Sequence, residues 1–200
     1  SLLPEDFFCV CIGRGNNKQL QKIAASTGIN KRIQWIESIK NNELPQWYSA
    51  CDCFCVPSRY EGFGIVFIEA AACGSAIITS NIAPMNAIFQ HGKNAHLVAN
   101  CEDPHQIANA ILEVCKNKEY RKRLSFNAPS VAEQFSTNKI SLLESSFYNE
   151  AITTNTKSRN LSFAENVKCK VLADINYYQF TAPLYFWQFT KKLKQLIIKR

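Results

Sequence analysis

The sequence predicts an α/β fold, a parallel sheet with helices on both faces, and three observations carry that prediction. Short, almost wholly apolar runs recur at Phe7 to Ile12, Ile33 to Ile36, Cys53 to Val56 and Ala76 to Thr79. Between them lie stretches whose apolar residues return at helical spacing. Glycine-rich turns such as Gly13-Arg14-Gly15 and Gly62-Phe63-Gly64 close the runs. Continuous apolar strands that alternate with helices belong to a sheet buried on both sides, because the crossover helices cover it.

Taken in order, the run from Phe7 is the first strand, and Gln19 to Ala25 the first helix, with Leu20, Ile23 and Ala24 on one face. After the second strand, Asn42 to Ala50 reads as a helix with Leu44, Trp47 and Tyr48 on one side. The third strand leads through a turn at Tyr60 to Gly64 into a helix from Ile65 to Cys73. Gly74 stops that helix, since glycine takes the left-handed conformation without steric cost. Asp103 to Lys116 is a further helix, with Pro104 in its first turn and Ile107, Ala110, Ile111 and Val114 on one face. Beyond about Ile152 the composition turns polar, then aromatic from Phe163 to Phe189, then basic from Lys191 to Arg200. The stretch Tyr185 to Arg200 reads as a helix, lying on a membrane surface or packing on a neighbouring lobe.

The formal charge is +7, with Lys and Arg spread along the chain and dense only at the end. No basic stripe lies inside the fold, which argues against nucleic acid as a partner and leaves an anionic ligand or membrane surface. No apolar run approaches the ~20 residues of a membrane-spanning helix, and no leader pattern precedes the first strand, so the expected compartment is the cytoplasm. The nine cysteines lie in apolar surroundings and their number is odd. They are expected to be reduced and mostly buried, with Cys51, Cys53 and Cys55 on one face of a strand. Neither a CxxC pair nor a His spacing suggests a metal site. Asp52, His91 and His96 are expected to make structural hydrogen bonds.

Chemistry concentrates in Pro57-Ser58-Arg59-Tyr60-Glu61-Gly62-Phe63-Gly64-Ile65-Val66-Phe67-Ile68-Glu69-Ala70, which starts at the carboxyl end of a strand and runs into a helix. That edge is where open α/β sheets bind ligands. Gly62 and Gly64 allow close approach to the backbone, and the helix start offers unpaired amides and a positive dipole end to a diphosphate. Glu61 and Glu69 enclose seven residues. Were the whole interval helical, the rise between them would be about 12 Å, comparable to the reach from a ribose to a sugar on its diphosphate. With Ile65, Ile68 and Ala72 as the apolar stripe, Glu69 points away from the most buried direction. Arg14 either approaches the ligand from its strand-end turn or is a solvated turn residue.

This segment resembles the retaining GT-B glycosyltransferases of family four, which carry two glutamates with seven residues between them in the setting PS-x-x-EGFG-x-x-x-x-EA. The likeness extends upstream through Cys11 to Gly15, Arg32 to Trp35 and Leu44 to Asp52, about three quarters of the chain. It implies a Rossmann-like domain over residues 1–152, the C-terminal half of a GT-B fold, followed by an extension over 153–200. It further implies a nucleotide-diphosphate sugar as donor, with no cofactor and no metal. Carried over, Glu61 contacts sugar hydroxyls near the reacting centre, the amides of Gly62, Phe63, Gly64 and Ile65 hold the diphosphate, and Glu69 takes the ribose hydroxyls.

Departures from the family pattern shape the functional expectation. The Arg and Lys that the family uses against the departing diphosphate have no counterpart, and neither does the acceptor-binding lobe. The chain is therefore expected to be the donor half of an enzyme completed by another segment or chain. Its rival is a non-catalytic nucleotide-sugar-binding or scaffold subunit, or an inactive truncated transferase. Asn86 stands where a Glu is usual, and Ala95 replaces a loop glycine.

Overall fold

The computed structural model describes residues 2–158 and 195–199, so the aromatic stretch from Phe163 to Phe189 and Cys169 lie outside the described residues. Contacts divide the chain into two compact units. The first comprises residues up to 133 together with the final strand, and the second begins at 134.

The first unit holds β1 (Phe8–Ile12), α1 (Lys18–Ser26), β2 (Ile33–Ile36), α2 (Leu44–Ala50), β3 (Cys53–Val56), α3 (Ile65–Ala72) and β4 (Ile77–Ser80). There follow α4 (Met85–Ile88), β5 (His96–Val98), α5 (Pro104–Lys116) and nearly all of α6 (Lys118–Gln134). The second unit contains α7 (Thr137–Ser158), which runs without a break through the boundary expected after residue 152. The chain closes with β6 (Gln195–Lys199). No helix among the described residues is long and apolar enough to cross a membrane.

The strands form one sheet in the order β2-β1-β6-β3-β4-β5. β1 runs parallel to β2 with Cys9 opposite Ile33, β3 parallel to β4 with Phe54 opposite Ile77, and β4 parallel to β5 with Ile78 opposite His96. The four strands read from the sequence are thus parallel, as expected. β6 is the exception: it lies antiparallel between β1 and β3, with Ile197 opposite both Val10 and Phe54. The helix expected over Tyr185 to Arg200 is therefore wrong for its last residues. The physical reason is the sheet's own demand, since the facing edges of β1 and β3 each present a row of backbone donors and acceptors, and an extended segment satisfies both rows at once.

Alternation along β3 and β4 separates two packed layers. Cys53, Cys55, Ala76 and Ile78 face one side and join Ala110, Ile111, Val114 and Cys115 of α5 with Tyr120 and Leu124 of α6. Phe54 faces the other side, where its ring meets Tyr48 of α2 edge-on at 5.3 Å and Phe67 of α3 at 5.6 Å. Phe67 in turn meets Phe89 at 6.4 Å. α5 buries the face its periodicity announced, and the Asp103 side chain caps it by accepting from the His105 amide at 2.8 Å. α1 is different, for only Ala24 is buried there while Leu20 and Ile23 stay about half exposed.

Candidate functional site

Because β1 to β5 are parallel, their carboxyl ends share one edge, and the turn from β3 into α3 lies on it. Gly64 makes this turn possible. It has φ +79° as the residue before α3, and a Cβ there would stand 2.7 Å from Met85 Cε, 2.7 Å from Phe67 Cδ2 and 3.2 Å from Glu61 Cγ. Only glycine combines the left-handed backbone with so close an approach. No side chain caps α3. The first amides of a helix have no partner within it, so this end carries donors and a positive dipole facing the sheet edge.

Glu61 sits half-buried just before the glycines. Ser58, itself buried, donates its hydroxyl to Glu61 Oε2 at 3.2 Å. Burial pushes the Glu61 carboxyl above its ordinary range, while the Ser58 hydroxyl and the Gly62 amide partly oppose that shift by hydrogen-bonding the ionised form. The group is thus poised nearer neutrality than a surface glutamate.

Glu69 lies at the far end of α3 on an exposed face. Tyr48 reaches it from α2, donating its hydroxyl to Glu69 Oε2 at 3.0 Å. The outward direction of Glu69 agrees with expectation, but the stripe assigned to α3 does not. Phe67, Ala70 and Ala71 are the buried residues, whereas Ile65 and Ala72 are exposed. The helix is apolar at every position but one, so periodicity has nothing to choose between, and the aromatic contacts of Phe67 set the face. The 12 Å helical rise does not apply either, because Glu61 to Gly64 are non-helical and only the residues from Ile65 onward follow helical geometry.

The other expected residues fall in two groups. Phe63 and Ile65 flank the glycine turn and remain 42% and 55% exposed, leaving their backbone at the open edge. Arg14 is exposed in the turn after β1, on the same edge but with β6 between β1 and β3. Two strand spacings of about 4.8 Å therefore separate its strand from β3. Asn86 is exposed on α4. His96, His91 and Asp52 make structural contacts: His96 Nδ1 lies 3.0 Å from the Tyr120 hydroxyl, His91 Nδ1 accepts from the Leu97 amide, and Asp52 faces Arg121 at 3.7 Å. Among the described residues no group of three or more His, Cys, Asp or Glu could hold a metal ion.

The eight described cysteines are free, four of them buried. Cys53 and Cys55 share a face as expected, in one apolar cluster with Cys115. Cys51 does not join them, since it precedes β3 and gives its thiol to the Tyr48 carbonyl. Burial pushes the Cys55 thiol up to about 12.

Against this geometry stand the likenesses to known proteins. Residues 2–131 match the family described as Glycosyl transferases group 1. The chain belongs to that family. The D-inositol 3-phosphate glycosyltransferase of Streptomyces bingchenggensis is 29% identical over 140 residues, which are 70% of this chain but 30% of that protein. The chain thus spans about a third of the length of such curated relatives. Among solved structures, Anabaena HepE in complex with UDP superposes with a TM-score of 0.69 at 21% identity, over 74% of this chain and 42% of that one. The C-terminal domain of the group 1 protein LpcC from Francisella tularensis superposes with a TM-score of 0.53 at 28% identity, over 59% of this chain and 60% of that one. The fold is therefore the α/β fold of GT-B glycosyltransferases.

In this group 1 chain the sequence reading missed three residues that build the site. Tyr48 was recognisable only as part of an apolar helix face, because nothing in sequence tells a buried phenol with a partner from a buried ring. Ser58 lies inside the quoted motif at a three-residue spacing from Glu61, a hydroxyl-to-carboxylate spacing a turn can close. Met85 left no signal, since its packing on Gly64 depends on the fold of the next unit.

Proposed function

We propose that this chain binds the nucleotide-diphosphate sugar donor of a retaining glycosyl transfer at the turn between β3 and α3. One arrangement supports the reading: two carboxylates at the two ends of a single turn and helix, each engaged by a hydroxyl donor, with an uncapped helix start between them. Glu61 accepts hydrogen bonds from sugar hydroxyls beside the reacting carbon, and Glu69 from ribose hydroxyls. The amides of Gly62, Phe63, Gly64 and Ile65, with the dipole of α3, stabilise the diphosphate as it takes up negative charge on leaving. Charge stabilisation by backbone donors needs neither a metal ion nor a cofactor. Arg14 adds positive charge at the same edge. UDP is the first nucleotide to test, because HepE was solved with it.

Calorimetry with UDP tests the assignment of ends. Glu69→Ala should weaken nucleotide binding by about 1 to 3 kcal/mol, the scale of hydrogen bonds to a charged group. Glu61→Ala should leave nucleotide affinity nearly intact, because its partners are on the sugar. Unchanged UDP affinity in Glu69→Ala rules out the ribose role.

A further inference from the structure

Glu69 stands on a solvent-open helix face, where a long side chain ordinarily samples several rotamers and loses that freedom on binding a ligand. Its neighbour Tyr48 has no such freedom. Tyr48 is 1% exposed, with its ring edge-on to Phe54 at 5.3 Å. Its carbonyl accepts from Ser75 Oγ at 2.6 Å and from Cys51 Sγ at 3.1 Å, so backbone and ring are both fixed. From this fixed base the phenol donates to Glu69 Oε2 at 3.0 Å, across from α2 to α3. Burial, and next the charge of Glu69, push the Tyr48 hydroxyl above its ordinary range, so it keeps its proton and acts as a donor.

We propose that Tyr48 is a positioning residue that holds the Glu69 carboxylate in one orientation and so sharpens its recognition of ribose, an inference that rests on the ribose role given to Glu69 above. With Oε2 engaged by a rigid donor, the direction of Oε1 is set before a nucleotide arrives. Preorganisation of this kind raises affinity by removing the ordering cost from the binding step. It also confers selectivity, because a carboxylate held in one place distinguishes a ligand that brings the matching hydroxyl from one that lacks it. Tyr48 touches no ligand in this scheme and acts only through Glu69.

The test compares UDP with 2′-deoxy-UDP by calorimetry on the full 200-residue chain, its Tyr48→Phe variant and its Glu69→Ala variant. Phenylalanine keeps the ring in the aromatic cluster, and thermal melting of the variant confirms its fold. The unmodified chain should prefer UDP by roughly tenfold, the scale of one hydrogen bond to a charged group. Tyr48→Phe should cut that ratio to about threefold, and Glu69→Ala should bring it close to one. A merely structural tyrosine would lower both affinities together and leave the ratio unchanged. An unchanged ratio in Tyr48→Phe beside a lost ratio in Glu69→Ala overturns the role of Tyr48 and leaves the ribose reading standing. A ratio that survives Glu69→Ala overturns the ribose reading, and the role of Tyr48 falls with it.

Discussion

The two glutamates of the site are the same residue type on one turn and helix, yet they are held by different physics. Glu61 lies half-buried in a loop whose shape depends on a left-handed glycine, with a buried hydroxyl and a backbone amide as partners. Glu69 lies exposed on a regular helix, where a phenol from a neighbouring helix donates to its carboxylate. The first is therefore sensitive to backbone conformation and to pH, and the second to the placement of one aromatic side chain. Equivalent positions in a motif need not be equivalent in mechanism.

The sharpest way to break the contrast is through the loop. Gly64→Ala forces a β-carbon into a left-handed position against Met85, Phe67 and Glu61. It should cost about 2 to 5 kcal/mol of stability, combining ~1–2 kcal/mol for the backbone with ~1–3 kcal/mol for overpacking. Gly62→Ala meets nothing within 4 Å and should change stability by less than about 0.5 kcal/mol. Urea unfolding of both variants measures the difference, and similar losses would mean that Gly64 is not the constraint described.

A smaller effect tests the burial of Glu61 by pH. A carboxyl raised by burial favours its protonated form in the folded state, so the stability contributed by Glu61 is present at low pH. That contribution is lost as pH rises from the ordinary glutamate range through the raised folded value. Binding of sugar hydroxyls to the ionised form should improve over the same window. Glu61→Gln should flatten both trends in melting and titration experiments from about pH 4 to about pH 7. Parallel pH curves for the chain and its Glu61→Gln variant would dismiss the burial argument.

The smallest expected effect concerns the thiols packed in the apolar cluster of β3 and α5. Cys55 and its buried neighbours should resist alkylation in the native chain, because reaction requires the thiolate and burial disfavours it. Mass spectrometry after native alkylation should find Cys53, Cys55 and Cys115 unmodified, and modification as fast as at half-buried Cys101 would contradict their placement in the core.

How much of this could be read in the sequence follows the same division between local and non-local causes. The parallel strands were legible because a run such as Cys53 to Val56 is apolar on both faces, which only a covered strand needs. The buried face of α5 was legible because polar residues interrupt its apolar ones at helical spacing. The face of α3 was not, since Ile65, Val66, Phe67 and Ile68 are all apolar and the choice falls to Phe54 and Phe89 in other elements. α6 carries Pro129 in its interior, which masks a continuous helix. β6 was illegible for the strongest reason: both edges that define it as a strand lie more than a hundred residues earlier in the chain. The motif pointed to two carboxylates, and the fold shows which hydroxyls reach them.

The proposed function requires a nucleoside diphosphate to bind at the turn from β3 into α3. Amide chemical shifts of the labelled chain, followed during titration with UDP, test it most directly. Saturable shifts should concentrate at Glu61 to Val66 and Glu69, with the Gly13 to Gly15 turn next in size and the amides of α5 still. Saturable shifts that spare Glu61 to Val66, or no shifts as UDP rises to millimolar concentration, would contradict it.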